Sequence, residues 1–402
     1  MMLQAYDEKF YLSNHSDVAD AVRRGDWPSG HTHFAVDGRR KGRVAAPNVD
    51  EAWYSNTYPL VGEDIAAGKA GSPSEHYFAL GRWRGYLPSP LWRRPDNPAA
   101  THSRFGGLWT DVGNALDVID GRLDIGQINA AQASLLRKWV KDGYVVIEGA
   151  IPEPVLQAAE QALDDAYHGR IPAMRYAVHG VAQDCPWVED ALTAPAKALD
   201  LHWFSPQTRD LIFSQSILDF LHLVFERRAL ATQTLGFWRG SSQDGHQDSA
   251  YVNYTLPMQF AASWIALEDV HEGAGELFYY VGSHKLPEYY YAGEFKGAEV
   301  AKQVKPGVDL SKDYPRHIEL IRRQTEGLGM PKQTFLARRG DVLIWSADLA
   351  HGGSVISSDR TRKSVVTHYC PKDVMPAYFE NHAGYEIRSH HGQAFYASSR
   401  YR

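Results

Sequence analysis

Between Ala130 and Lys141 apolar side chains recur at Ala131, Leu135, Leu136, Trp139 and Val140, the spacing of one face of a helix, and Gly143 closes the run. Tyr144-Val145-Val146-Ile147 then reads as a strand, and Pro152 to Tyr167 as a second helix opened by a proline. Beyond residue 230 the period shortens. Runs rich in aromatic and β-branched residues, separated by Gly, Pro, Asp and Ser, predict the strands of a barrel or sandwich. The stretch from Gly340 to His351 reads as one apolar strand, and Arg362 to Tyr369 as its antiparallel return across a loop at Ser357 to Thr361. The fold class expected is α+β, with helices covering the outer face of a strand-rich core.

The N-terminal pattern is different, because it repeats. Tyr11 and Tyr54, Val18 and Val61, Gly25 and Gly68, His33 and His76, Gly38 and Gly81, Arg39 and Arg82, and Gly42 and Gly85 all differ by 43 positions, with Phe10 against Trp53 and Phe34 against Tyr77 in the same register. Each unit reads as two or three short helices, the last stopping at Gly38 or Gly81, where a left-handed residue is expected. Residues 1–90 are therefore assigned as a small all-α tandem-repeat domain. His33 and His76, one per unit in an aromatic setting, read as packed structural histidines. Arg39, Arg40, Arg43, Arg82 and Arg84 form either a basic face or a solvated one. The unit resembles short repeats of bacterial surface-polysaccharide enzymes and secreted proteins, and its expected role is docking or homo-oligomerisation. Pro88, Pro90, Pro95, Pro98 and Gly106-Gly107 interrupt any periodicity, so residues 91–125 are read as a linker and 126–402 as the second domain. Within that domain the glycine-punctuated stretch 286–330 is read as an insertion that serves as a lid.

Composition narrows the function. A net charge of −6 with no block of five or six basic residues argues against nucleic acid as partner. The opening residues lack the charged-then-apolar layout of a signal peptide, and no stretch approaches 18 uninterrupted apolar residues, so no integral membrane association and a cytoplasmic location are expected. Two cysteines, Cys185 and Cys370, are too few for a disulfide framework or a thiolate zinc site.

The chemistry concentrates in two segments. His246-Gln247-Asp248 sets an imidazole and a carboxylate at i and i+2, on one side of an extended chain. His351, about a hundred residues later, completes a set of two histidines and one carboxylate, the facial arrangement that leaves positions open on ferrous iron. A His-x-Asp pattern alone is common among 18 histidines. Arg362 changes its weight, since a planar guanidinium near the pocket suits the distal carboxylate of 2-oxoglutarate. Arg360 and Lys363 read as solvated.

With these residues in place, positions from about 126 to 375 resemble the phytanoyl-CoA dioxygenase family. The resemblance runs through Gln233 to Phe237, Gly240-Ser241, His246-Gln-Asp248, Trp264 to Val270, Gly275-Glu-Leu277, Gly282 to Lys285, Gly340-Asp341, His351-Gly352 and Arg362-Lys363-Ser364. It implies a double-stranded β-helix, of the jelly-roll or cupin-like kind, with packed helices. It also implies Fe(II) held by His246, Asp248 and His351, with 2-oxoglutarate and O₂ as co-substrates and Arg362 and Trp264 as 2-oxoglutarate contacts. Some members place a Ser or Thr two residues after the distal histidine, where this chain has Gly353; Ser354 or Gln233 is the expected substitute. Ferrous halogenases lack the ligand carboxylate, so Asp248 points to oxygen transfer, with hydroxylation as the default outcome and succinate and CO₂ released. Gly282-Ser283-His284 reads as a structural turn.

Tyr251, Tyr254, Tyr289-Tyr290-Tyr291 and Trp345 are candidate pocket walls, of a kind that suits a small polar molecule, in particular a carbohydrate or glycan-linked substrate. Two competing readings are a zinc or other divalent-metal hydrolase built on the same triad, and a catalytically inactive ligand-binding barrel.

Overall fold

In the computed structural model the described residues are 11–12, 15–38, 41, 43, 46, 49–81, 86, 88, 103–113, 115–252, 254, 256–374, 376 and 386–397. The chain divides into two compact units, Met1–Pro95 and Asp96–Arg402.

In the first unit the helix Ser16–Arg24 ends at Gly25, whose φ of +85° is the left-handed cap that a side chain would resist. Gly30–His33 and Phe34–Gly38 follow. Glu51–Thr57, Leu60–Ala66, Pro73–His76 and Tyr77–Gly81 form the next group, with Gly68 again at positive φ. The left-handed positions are thus Gly25 and Gly68, and Gly38 and Gly81 are glycine for another reason. A Cβ there would run into the hydroxyl of Tyr11 or Tyr54. Each hydroxyl bonds the Nδ1 of His33 or His76 at 2.9 Å, and both histidines are buried. His76 Nε2 donates to Asp64 Oδ2 at 3.2 Å, while His33 Nε2 faces Asp37 Oδ2 at 3.6 Å. Arg43 is spent in a two-pronged pair with Asp17, at 2.8 and 2.6 Å. Arg39, Arg40, Arg82, Arg84 and the stretch 91–102 of the expected linker lie outside the described residues.

The second unit opens with the helices Ala115–Asp124 and Ala130–Asp142, the latter closed by Gly143 at φ +84° as its sequence requires. Strand β1 (Tyr144–Ile147) and the helix Glu153–Tyr167 match the periodicity. β2 (Arg175–Val178), β3 (Ala182–Cys185) and β4 (Ala196–Leu199) precede the helices Leu201–Phe204, Pro206–Ile212 and Gln215–Phe225. The core strands are β5 (Ala229–Phe237), β6 (Ala261–Ala266), β7 (Leu277–Tyr280), β8 (Lys332–Phe335), β9 (Val342–Ser346), β10 (His351–Gly353) and β11 (Ser364–Pro371). A hairpin of β12 (Glu386–His390) and β13 (Gln393–Ala397) follows, β13 running parallel to β5.

One large sheet has the order β1-β9-β6-β11-β5-β4-β2-β3, and a second has the order β10-β7-β8. Apolar side chains from both sheets, Phe237, Trp264, Tyr279, Phe335 and Trp345 among them, meet in one core, so the sheets face each other as in a double-stranded β-helix. Alternation sorts each strand: Leu343 and Trp345 of β9 enter this core, whereas Val342 and Ile344 pack under the helices.

Sequence expectations fail here at three places. The first is the expected linker 91–125, whose residues Ala115–Asp124 form a helix with Ile119 buried in the core, because its apolar side chains find partners in the second unit. The run from Gly340 to His351 is two strands in opposite sheets, and β11 pairs with β5 and β6, not with the His351 strand. A jelly-roll connection crosses between sheets, and local pattern does not name a strand's partner. Lys363 is not solvated either; it pairs with Glu160 and Asp164, each at 2.9 Å. Among the described residues no helix is long and apolar enough to cross a membrane. The two cysteines are buried and free.

Candidate active site

The segments that carry the triad are joined by their own backbone. His246 N–H donates to His351 O and His351 N–H to His246 O, both at 2.9 Å, so the two residues stand directly opposite each other across a narrow antiparallel bridge. Gln247 continues extended and Asp248 opens a short 3₁₀ turn, Asp248–Ala250. The i, i+2 spacing therefore returns the carboxylate to the imidazole's side. Asp248 Oδ1 stands 3.7 Å from His246 Nε2 and 3.7 Å from His351 Nε2, and the three ligand atoms lie within 4.8 Å of one another.

The tautomers are set by the loops. His246 Nδ1 lies 2.9 Å from Asp244 O and His351 Nδ1 2.9 Å from Leu349 O, and a carbonyl can only accept. Each Nδ1 thus carries the proton, and each Nε2 turns a lone pair to the centre, as a metal ligand must. Burial pushes the His351 pKa down to about 4, keeping the ring neutral. Burial alone would raise the Asp248 carboxyl, but the neighbouring imidazoles of His351, His246 and His368 more than reverse it and hold it well below the usual range. Its other oxygen accepts the Trp345 indole N–H at 2.8 Å.

Arg362 lies just before β11, fully buried, its guanidinium 5.4 Å from the Phe237 ring and 5.6 Å from Trp264. One nitrogen donates to Gly275 O at 2.6 Å. Burial lowers its pKa to about 10 against the pull of Glu276. Arg362 Nε and Trp264 Nε1 are buried donors without a partner among the described residues. Unmet buried donors are costly. A guanidinium N–H and an indole N–H left unmet beside each other in one apolar core fit an anionic ligand group there, and the far carboxylate of a 2-oxo diacid is such a group. Gln233 sits on the β5 residue opposite His368. Ser354 enters through its backbone, N–H to Glu276 O at 2.8 Å.

Most of the expected pocket walls are spent elsewhere. Tyr254 bonds Thr232 at 2.6 Å, Tyr289 donates to Asp313 and Tyr290 to Glu288 at 3.0 Å, and Tyr291 bonds His317 at 3.0 Å. Tyr251 alone of the six keeps substantial exposure, at 40%, edge-on to His246 and stacked on Tyr314 at 5.5 Å. Ser283 of the expected turn accepts from Ala350 N–H at 2.8 Å and so steadies the loop before His351, while His284 packs against Gly143, away from the triad.

The insertion 286–330 is bolted to the ligand loops. Its helix Asp313–Gly327 brings His317 Nε2 to Gln247 Oε1 at 3.1 Å, and Gln247 Nε2 in turn donates to Asp348 O at 2.7 Å. Buried Lys296 bridges Asp348 at 2.5 Å and Glu288 at 3.0 Å.

Sequence reasoning missed three residues. His368 is buried with Nε2 3.4 Å from Asp248 Oδ2. Counting by twos from Arg362 along the strand would have found it. Lys197, whose amino group burial pushes down, donates to Gln243 Oε1 at 3.1 Å, and Gln243 Nε2 lies 3.3 Å from His246 Nε2. Neither Lys197 nor Gln243 carries a sequence signal.

Solved structures that the chain resembles in fold include the following three. The non-heme alpha ketoglutarate dependent epimerase SnoN from nogalamycin biosynthesis is 20% identical, with 60% of this chain and 84% of that one covered at a TM-score of 0.42. The non-heme alpha ketoglutarate dependent carbocyclase SnoK from the same biosynthesis is 17% identical, with 64% and 92% covered at 0.45. EctD from S. alaskensis with bound Fe is 15% identical, with 61% and 77% covered at 0.42. No curated protein matches the sequence. The model of the phytanoyl-CoA dioxygenase family matches residues 139–364, which include the triad, Trp264 and Arg362 and set aside the zinc-hydrolase and inactive-barrel readings. The chain belongs to the phytanoyl-CoA dioxygenase family and is a non-haem Fe(II)- and 2-oxoglutarate-dependent oxygenase.

Proposed function

We propose that His246, Asp248 and His351 hold Fe(II), that Arg362 and Trp264 bind the distal carboxylate of 2-oxoglutarate, and that the enzyme hydroxylates an unactivated carbon of a small polar molecule. The observation that carries this is the unmet pair of buried donors, Arg362 Nε and Trp264 Nε1, in the core that also holds Trp345, the hydrogen-bond partner of Asp248. When bound, iron and 2-oxoglutarate supply O₂ activation and yield succinate and CO₂. The chain's own part is to fix both imidazole tautomers through Asp244 O and Leu349 O, to orient Asp248 through Trp345, and to keep water from the chamber with the aromatic core.

A carbohydrate or glycan-linked substrate is the class the mouth of the site favours. Tyr251 stacked on Tyr314 offers a flat amphipathic face beside His246, and Lys197 with Gln243 adds polar groups on the same side. The N-terminal unit serves as a docking or self-association module. Deleting residues 1–90 then changes oligomeric state or localisation.

Anaerobic addition of Fe(II) and 2-oxoglutarate to the metal-free chain tests the site. A visible charge-transfer band, followed by O₂-dependent succinate formation, is expected. Absence of both sinks the assignment.

A further inference from the structure

A second cluster of metal-binding groups lies on the surface of the oxygenase unit. Asp210, from the helix Pro206–Ile212, faces His390 and His391 at the tip of the β12–β13 hairpin. His390 Nε2 stands 2.6 Å and His391 Nε2 3.6 Å from Asp210 Oδ1, and the three ligand atoms fall within 4.8 Å of one another. Ligand atoms about 2.0–2.1 Å from one tetrahedral ion lie roughly 3.3 Å apart, a spacing the two distances straddle.

The turn explains how both rings reach the same oxygen. His391 and Gly392 have φ of +48° and +80°, the left-handed pair of a two-residue hairpin that normally selects Asn-Gly. This conformation turns the chain within one residue, leaving the adjacent imidazoles 4.2 Å apart between ring centres. One histidine would have sufficed for an ion pair with Asp210. The second, in a position where a histidine is less favoured than asparagine, adds a ligand. The neighbouring cations do not compete for the carboxylate. Arg209 donates to the carbonyls of His202 and Trp203 at 2.7 and 3.3 Å, and Arg388 pairs with Glu386.

The geometry points to a surface site for a late first-row divalent cation such as zinc, nickel or copper(II), held by Asp210, His390 and His391 with its remaining positions open to water. It staples the C-terminal hairpin to the helix Pro206–Ile212. The hairpin is not a loose appendage: β13 pairs with β5, the strand that carries Gln233, and Tyr396 O accepts His202 Nε2–H at 3.0 Å. An ion at its tip closes the free end of that contact.

Zinc uptake by the full-length metal-free chain, read by competition with a chromophoric chelator, tests the assignment apart from turnover. Two equivalents are expected for the native chain. Asp248→Ala combined with His351→Ala leaves one, and His391→Asn in the native background also leaves one while retaining the left-handed turn and iron-dependent turnover. Asp210→Asn repeats that loss. Hydrogen exchange of residues 386–397 slows with zinc only in chains that keep the cluster. Zinc uptake unchanged by both His391→Asn and Asp210→Asn, or no zinc bound outside the iron triad, overturns the proposal.

Discussion

Two pairs of buried histidines show how the same side chain is made structural in one unit and free to ligate in the other. In the N-terminal unit His33 and His76 each bond a tyrosine hydroxyl through Nδ1, and Nε2 faces a carboxylate, directly bonded in His76. In the oxygenase unit His246 and His351 also spend Nδ1, but on backbone carbonyls two residues back. Their Nε2 atoms converge on a carboxylate oxygen at 3.7 Å, too far for a hydrogen bond and right for an ion between them. Burial and an acidic neighbour are common to both pairs. What separates them is convergence: His33 and His76 each face a carboxylate of their own, whereas the Nε2 atoms of His246 and His351 face one and the same oxygen of Asp248.

The largest test of that difference is Asp248→Ala, which should cut 2-oxoglutarate turnover by at least about a hundredfold and abolish the charge-transfer band. His76→Gln should leave both untouched. Full activity in Asp248→Ala would remove it from the ligand set. Next in size, Arg362→Ala should raise the KM for 2-oxoglutarate by roughly 30- to 100-fold, the loss of a charge-assisted pair, with much less effect on the iron requirement. Equal shifts in both would contradict a carboxylate clamp.

A fifth histidine sharpens the contrast by pH. His317 bonds Tyr291 and Gln247, and burial brings its pKa from 6.5 to about 3. The unfolded chain takes up this proton more readily than the folded one. The stabilisation is therefore complete above about pH 6.5 and is lost progressively as pH falls toward 3. Thermal midpoints of the metal-free protein should decline through that window, and His317→Gln should flatten the decline; an unchanged slope would mean His317 is not held neutral. The smallest effect expected is Tyr54→Phe, which removes one buried hydrogen bond and should cost about 1 kcal/mol in the N-terminal unit, seen in its unfolding transition with turnover unaltered.

Local pattern was enough for the elements that local rules govern. The helix closed by Gly143 and the strand Tyr144–Ile147 follow from periodicity and from turn chemistry, which act over a few residues. The i, i+2 pairing of His246 with Asp248 is legible for the same reason, since an extended chain returns alternate side chains to one side. Arg362 was read from its guanidinium chemistry and Trp264 from resemblance, and their unmet donors needed the fold.

Tertiary structure alone decided which segments face each other. It set β10 and β11 in opposite sheets where a hairpin was expected, because strand partners are chosen by burial of both faces across distant segments. It brought Gln243 beside His246 and Lys197 onto Gln243, buried or half-buried five of the six candidate pocket aromatics and left Tyr251 40% exposed against His246. It joined Asp210 to His390 and His391 across 180 residues. Contacts of that range depend on how far the chain travels before it returns, and no local spacing encodes them.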